Sequence, residues 1–333
     1  LHRLIRRQRQ MCIRDRSISM SVISTLKYRY RTFCSLFLLG SCAFYGVIVS
    51  AYYNVIGKKQ LGQHATARAY AFVMKHCLGV NIVVEGRQYL DESSPCIFIS
   101  NHQSVLDILM LGATWPKWCV VTAKRSLQWV PLLGWFMTLS GALFIDRGNR
   151  EKAVETLNKG LKEIIDIKGS VWIFAEGTRS YSTSLMMLPF KKGAFWLAKD
   201  GKIPIVPVVV SNTTTISNAK YKVFNKGTIY VKVLPPMSLE KVQTKEEMNE
   251  FIDGVHDLMV TELKENVGYS IPIVDTSVPP EYEEWVKAKK DKETSKEEEE
   301  ILKSDLNEKT VSNATSIKID SDDTTIEGAV SRK

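Results

Sequence analysis

Between Asn81 and Leu234 short apolar runs alternate with stretches of helical period. NIVVE (81–85), CIFIS (96–100), WCVVT (118–122), ALFI (142–145), VWIFA (171–175), PIVPVVV (204–210) and TIYVKVL (228–234) are almost wholly apolar. Runs this short and continuous are what strands buried on both faces require. The segments near 104–112, 150–166 and 190–198 have the spacing of helices with one apolar face, and 245–265 has that of an amphipathic closing helix. Such alternation predicts an α/β fold, a largely parallel sheet of about seven strands flanked by helices. Ligands of such sheets sit beyond the carboxyl ends of the strands.

Ahead of this domain, Phe33–Ile56 runs for 24 residues without a charge, enough for a helix to cross a hydrocarbon layer of about 30 Å. Lys27, Arg29 and Arg31 flank it on one side and Lys58 and Lys59 on the other, so charge does not orient it. A spanning helix and a re-entrant hairpin both fit. A second uncharged stretch, Ser126–Ile145, is broken by Pro131, Gly134 and Gly141; it reads as a helix carrying Trp129, Trp135 and Phe136 on an apolar face, followed by a strand. That face suits a membrane surface or the core equally. Residues 1–19, with six arginines before Met20, read as a non-native or disordered leader. The expected organisation is therefore leader 1–19, membrane-anchoring helical segment 20–80, α/β domain 81–277 and disordered acidic tail 278–333. The tail is rich in Glu, Lys, Ser and Thr and has too little apolar surface to offset its ordering entropy.

Charge sharpens this division. The chain carries a net +9, but ten lysines and arginines face fifteen acids from Val278 onwards, so the preceding body is more basic than the total suggests. A basic body favours anionic partners, and charge alone does not separate phosphate esters, a phospholipid surface and nucleic acid. The six cysteines show neither CxxC spacing nor a pairing with histidines of the kind that suggests zinc, which argues for reduced thiols and against a metal site.

Three strand ends carry polar clusters: Asn101–Asp107 after CIFIS, Asp146 and Arg147 after ALFI, and Glu176–Arg179 after VWIFA. An imidazole beside a carboxylate is the usual device for taking a proton from a hydroxyl. On one continuous helix His102 and Asp107 would point about 140° apart. With His102 on the strand end and Ser104 at the helix start, Asp107 instead reaches back to one ring nitrogen and leaves the other free as base. Ser104-x-x-Asp107 also fits a helix cap in which Asp107 only satisfies a backbone N–H, and the residues alone leave both readings open. Glu176, Gly177, Thr178 and Arg179 have the parts of a phosphate cradle, though a plain strand-ending turn would use the same residues. Neighbours on an extended strand point apart, so Arg147 is free of Asp146 and available to a second anion. His64 and His76 read as structural, and His256 beside Asp257 as part of a polar helix face.

Taken together, NHQSVLD (101–107), GALFIDR (141–147), EGTR (176–179) and IPIVPV (203–208) resemble, in order, the four blocks of the glycerolipid acyltransferases. TAKRSLQWVPLLGWFM (122–137), TLNKGL (156–161) and LPFKKGAFWLA (188–198) are similar to the flanks in the family's fungal 1-acyl-sn-glycerol-3-phosphate branch. The resemblance implies acyl transfer from acyl-CoA to lysophosphatidic acid, with His102 as base and Asp107 as its orienter. It assigns phosphate binding to Arg147, Gly177, Thr178 and Arg179, with Glu176 shaping that turn. The implied partners are acyl-CoA, lysophosphatidic acid and a phospholipid membrane, with no nucleic acid. The implied cofactor and metal requirement is none, acyl-CoA being a co-substrate. It places the protein in the endoplasmic reticulum membrane facing the cytosol, with lipid droplets as a second location. Three alternatives remain open at this point. A thioesterase would use His102 and Asp107 without the arginines, and a non-catalytic lipid-binding protein would use the basic residues without His102. An acyltransferase for glycerol 3-phosphate or another lysophospholipid would use them all.

Overall fold

The computed structural model describes residues 2–146, 148 and 150–295, with the side chains of 2–21 and 150–154 left aside. Residues 1–279 form one compact unit and the residues from Pro280 another.

The first unit opens with α1 (His2–Val55) and α2 (Leu61–Leu78). α1 is a single helix with no turn inside the uncharged run; it also begins well before Met20, because neither Gly nor Pro occurs ahead of Gly40 to stop it. From Val22 to Val55 it is long and apolar enough to cross a membrane. Leu26, Tyr30, Phe33, Phe37, Phe44, Ile48, Tyr52 and Val55, three or four residues apart or multiples of that, are exposed along one face, while Arg31, Cys42, Ala43 and Ser50 on the other are buried against the domain. α2 packs closely on this inner face. A Cβ on Gly62 would lie 2.3 Å from Ser50 Oγ, so only glycine permits that approach.

β1 (Val80–Glu85), α3 (Gln88–Glu92), β2 (Ile97–Ser100), α4 (Asp107–Thr114), β3 (Cys119–Lys124), α5 (Leu133–Leu139), β4 (Leu143–Ile145), α6 (Arg150–Asp166), β5 (Ser170–Phe174), α7 (Gly193–Gly201), β6 (Ile205–Val210), the short β7 (Ser217–Asn218) and β8 (Val223–Phe224), β9 (Lys226–Val233), α8 (Lys245–Glu262) and β10 (Ile271–Ile273) follow. All seven expected strands are present, in the order β1-β9-β6-β2-β5-β3-β4, with β10 added beside β9. From β6 to β4 the pairing is parallel; the sheet reverses at the antiparallel β6–β9 junction. Alternate residues of β2 feed the two faces. Ile97 and Ile99 join the core under α6, α7 and α8, and Phe98 joins the core under α1, α2 and α4. This two-sided burial is why the strand reads as an unbroken apolar run.

Register then fixes the site. Ser100 at the end of β2 pairs with Phe174 at the end of β5, and Lys124 of β3 pairs with Ile145 of β4. The segments starting at Asn101, Glu176 and Asp146 therefore all leave the same carboxyl edge.

The tail departs from its composition. Residues 280–295 are helical and largely exposed. Glu and Lys are strong helix formers and pair along a helix surface, so local propensity suffices where apolar burial is missing. Residues 296–333 lie outside the described residues.

Candidate active site

β2 ends one residue before Asn101, whose side chain is pinned to β6: its Nδ2 donates to the Val210 carbonyl and its Oδ1 accepts from the Val210 N–H, both at 2.9 Å. Gln103 adds a second pin through Nε2 to the carbonyls of Val210 and Ser211, and through Oε1 from the Thr213 N–H. Between these anchors the chain turns, and α4 begins at Asp107. Asp107 Oδ2 lies 2.6 Å from His102 Nδ1. The same oxygen accepts the N–H of Gln103 at 2.7 Å and of Ser104 at 3.1 Å. The cap and the imidazole orienter, separate readings of the sequence, are thus one atom serving both ends. Asp107 is 2 % exposed and its Oδ1 has no hydrogen-bond partner. An anionic carboxylate beside Nδ1 fixes the proton there, leaving Nε2 as the basic nitrogen. The ring is held flat against Phe174, with centroids 4.0 Å apart and planes 23° apart.

The Glu176–Arg179 segment crosses directly beside this turn. The N–H of Ser180 donates to the His102 carbonyl at 2.9 Å, and the N–H of Tyr181 to the Gln103 carbonyl at 3.1 Å. Gly177 stands at φ +71°, a conformation costly for other residues. Sequence order groups Glu176 with the phosphate cradle, and here the structure corrects it. Glu176 is 1 % exposed, with Oε1 accepting from the His102 N–H at 2.7 Å and Oε2 from the Leu188 N–H at 3.0 Å. Burial pushes its pKa up, and the two amides pull it partly back. Glu176 is a buried clasp on the backbone of His102, not a ligand facing the cavity.

Thr178 and Arg179 do face it. They line, with His102, Ser104, Asp107, Phe174 and Tyr181, the polar end of a cavity of about 460 Å³. Arg179 Nη1 donates to Tyr181 Oη at 3.2 Å, and its Nε has no partner. The remaining walls are mostly apolar, among them Leu39, Ala43, Ile108, Leu111, Leu127 and Phe136. The site is therefore an imidazole base and a guanidinium in the wall of a largely apolar space that suits hydrocarbon.

A model of the Acyltransferase family matches residues 81–211. A Saccharomyces cerevisiae protein named 1-acyl-sn-glycerol-3-phosphate acyltransferase is 51 % identical over 277 residues, covering 83 % of this chain and 90 % of that one. This chain belongs to the 1-acyl-sn-glycerol-3-phosphate acyltransferase family. A human member, 1-acyl-sn-glycerol-3-phosphate acyltransferase alpha, is 36 % identical over 192 residues, or 58 % of this chain and 67 % of the relative. The crystal structure of the 1-acyl-sn-glycerophosphate (LPA) acyltransferase PlsC from Thermotoga maritima aligns with a TM-score of 0.49 at 23 % identity, covering 71 % of this chain and 98 % of that one.

Of the second block that marks the family, Asp146 is paired with Arg125 at 3.4 Å and caps the Gly148 N–H. Arg147 lies outside the described residues. His64 and His76 bond main-chain carbonyls, and His256 contacts Asp257 at the surface at 3.4 Å, so none of the three has a buried carboxylate of its own. The described cysteines, Cys34, Cys42, Cys77, Cys96 and Cys119, are free thiols, and no group of metal-ligating side chains occurs among the described residues. Sequence reasoning missed Phe174 and gave Asn101 and Gln103, though inside the first polar cluster, no role of their own. Phe174 was legible in principle, as the last residue of a strand paired with the one that carries His102.

Proposed function

We propose that the protein transfers a fatty acyl group from acyl-CoA to the sn-2 hydroxyl of 1-acyl-sn-glycerol 3-phosphate, giving phosphatidic acid and CoA. The observation that carries this reading is His102, oriented by buried Asp107, lining the same largely apolar cavity as Arg179. In the reaction Nε2 of His102 takes the hydroxyl proton as the oxygen attacks the thioester carbonyl. The new C–O bond forms, the C–S bond breaks, and the leaving CoA thiolate recovers the proton from the imidazolium. General base catalysis of this type contributes roughly 10² to 10⁴-fold, and holding two substrates in line contributes about 7–11 kcal/mol more. Arg179 grips the acceptor phosphate with Thr178 and the turn at Gly177, and Arg147 supplies a second positive contact. The reaction needs no cofactor or metal, acyl-CoA being a co-substrate. The relatives' names, which specify this acceptor, support the assignment.

The apolar α1 marks the protein as membrane-associated. We assign it to the endoplasmic reticulum with His102 on the cytosolic side, where acyl-CoA is made. The test is an assay of membranes carrying the full chain with labelled oleoyl-CoA and four acceptors: lysophosphatidic acid, glycerol 3-phosphate, lysophosphatidylcholine and water. Labelled phosphatidic acid from the first alone, lost in His102→Ala, is the expected result. Free fatty acid as the main product would make the protein a thioesterase, and preference for another acceptor would reassign the substrate.

A further inference from the structure

Between β3 and β4 the chain makes a tight excursion. A 3₁₀ turn, Arg125–Trp129, is followed by a reversal through Val130, Pro131 and Leu132 into α5. Its limbs are locked together: the Gly134 N–H bonds the Val130 carbonyl at 2.7 Å, and a Cβ on Gly134 would lie 2.1 Å from the Gln128 carbonyl. The side chains divide sharply. Leu127, Leu133, Phe136 and Met137 face inward and line the cavity that holds His102. Trp129, Val130 and Trp135 face outward, with 82 %, 40 % and 57 % of their surface exposed. A rigid turn that holds two tryptophans in solvent is built for a surface that accepts large aromatic rings.

Two features identify that surface. α5 packs directly on α1: a Cβ on Gly46 would fall 2.7 Å from the Phe136 ring. Packed helices lie about 8–10 Å apart, so the turn sits within one helix diameter of the apolar helix that marks the protein for a membrane. At its base stand exposed Lys124 and Arg125, the latter held by Asp146. Tryptophan beside basic residues suits a lipid interface, where the ring body is apolar, the indole N–H meets head groups, and cations meet phosphates.

We propose that the Trp129–Trp135 turn is a second membrane contact, which docks on an anionic phospholipid surface beside α1. Docking there brings the cavity wall formed by Leu127, Leu133, Phe136 and Met137 against the leaflet, so that a lysolipid passes from the leaflet to His102 with its chain kept out of water. This purpose rests on the acyl-transfer reading, but the docking does not.

The test uses the full chain reconstituted in vesicles of phosphatidylcholine and phosphatidic acid, with or without brominated acyl chains. Wild-type tryptophan fluorescence is expected to be quenched by the brominated lipid, and Trp129→Phe/Trp135→Phe to lose about half or more of that quenching, because the rings that reach lipid are gone. Equal quenching in both proteins overturns the proposal, as does a doubled protein mass in detergent that the paired Trp→Ser variant abolishes, which would make a second copy the occupant. As a functional readout, Trp129→Ser/Trp135→Ser is expected to raise KM for vesicle-embedded oleoyl lysophosphatidic acid by roughly three- to ten-fold. The kcat/KM for water-soluble hexanoyl lysophosphatidic acid should stay at the wild-type value, since neither ring lines the cavity. A matching loss on both acceptors would mean a structural role and overturn it. If the wild type transfers no acyl group, the acyl-transfer reading falls and the quenching result still decides the docking.

Discussion

At His102 and Asp107 a single carboxylate oxygen takes three donors while its twin, equally buried, takes none. Asp107→Asn should keep the cap, since the amide oxygen can replace Oδ2 and the new NH₂ falls where Oδ1 is unpartnered. The buried extra donor is expected to lower stability by about 1–3 kcal/mol. Losing the negative charge that stabilises the imidazolium is expected to lower kcat by roughly 10² to 10⁴-fold, measured with folded, membrane-bound enzyme. Near-normal kcat would leave Asp107 as a cap and nothing more. Arg179→Ala is expected to raise KM for lysophosphatidic acid roughly ten-fold or more with acyl-CoA little changed, and Arg179→Lys to recover only part, because an ammonium lacks the planar fork. An equal effect on both substrates would remove Arg179 from the acceptor site. These pairings were legible because a strand end followed by a capped helix leaves few geometries for a residue pair five apart. Glu176 was not, since order along the chain does not say which side of a turn a carboxylate takes. Nor did composition show that two backbone amides would claim its oxygens.

Among the elements, seven strands were legible from apolar runs, and the helices 150–166 and 245–262 from their period. The antiparallel junction at β6–β9 was not, because strand direction leaves no local mark on composition. The single long α1 was half legible: its early start fits the absence of Gly and Pro ahead of Gly40, but the side facing the domain depends on partners distant in sequence, such as Gly62 under Ser50. The clasp between the β5 and β2 loops is a property of elements too, since Glu176 ties His102 of one to Leu188 beyond the other. Glu176→Gln offers one acceptor to two donors and is expected to lower stability by about 1–3 kcal/mol. The folded-state pKa of Glu176 lies above its unfolded value, so its proton-linked contribution is present below the ordinary carboxylate range and lost as pH rises through the raised value. The Tm gap between wild type and Glu176→Gln should therefore be widest at the acid end of a series from about pH 4 to pH 7 and narrow as pH rises. A gap that widened with pH would mean that the clasp works through the charged form.

For the molecule as a whole, the first unit closes its two cores by Pro279, with Ser277 still tied to Tyr221 and Asn225. A chain ending at Pro279 is expected to keep acyl transfer within about two-fold of the full protein in a membrane assay, as the residues that line the cavity around His102 belong to the first unit. A larger loss in folded protein would give the tail a part in the reaction. Composition places the tail from residue 278, while the helix over 280–295 escaped it because burial and local propensity are separate causes of order. One consequence follows from the two backbone bonds that join the loops, Ser180 to His102 and Tyr181 to Gln103. They make the interval between the arginine and the imidazole a gauge set by main chain rather than by flexible side chains. On the proposed reading, this gauge measures from phosphate to hydroxyl across the glycerol. An acceptor whose hydroxyl is one carbon nearer to or further from its phosphate would still bind through Arg179, yet present the wrong oxygen to Nε2. Regioselectivity would then be expressed in kcat rather than in KM.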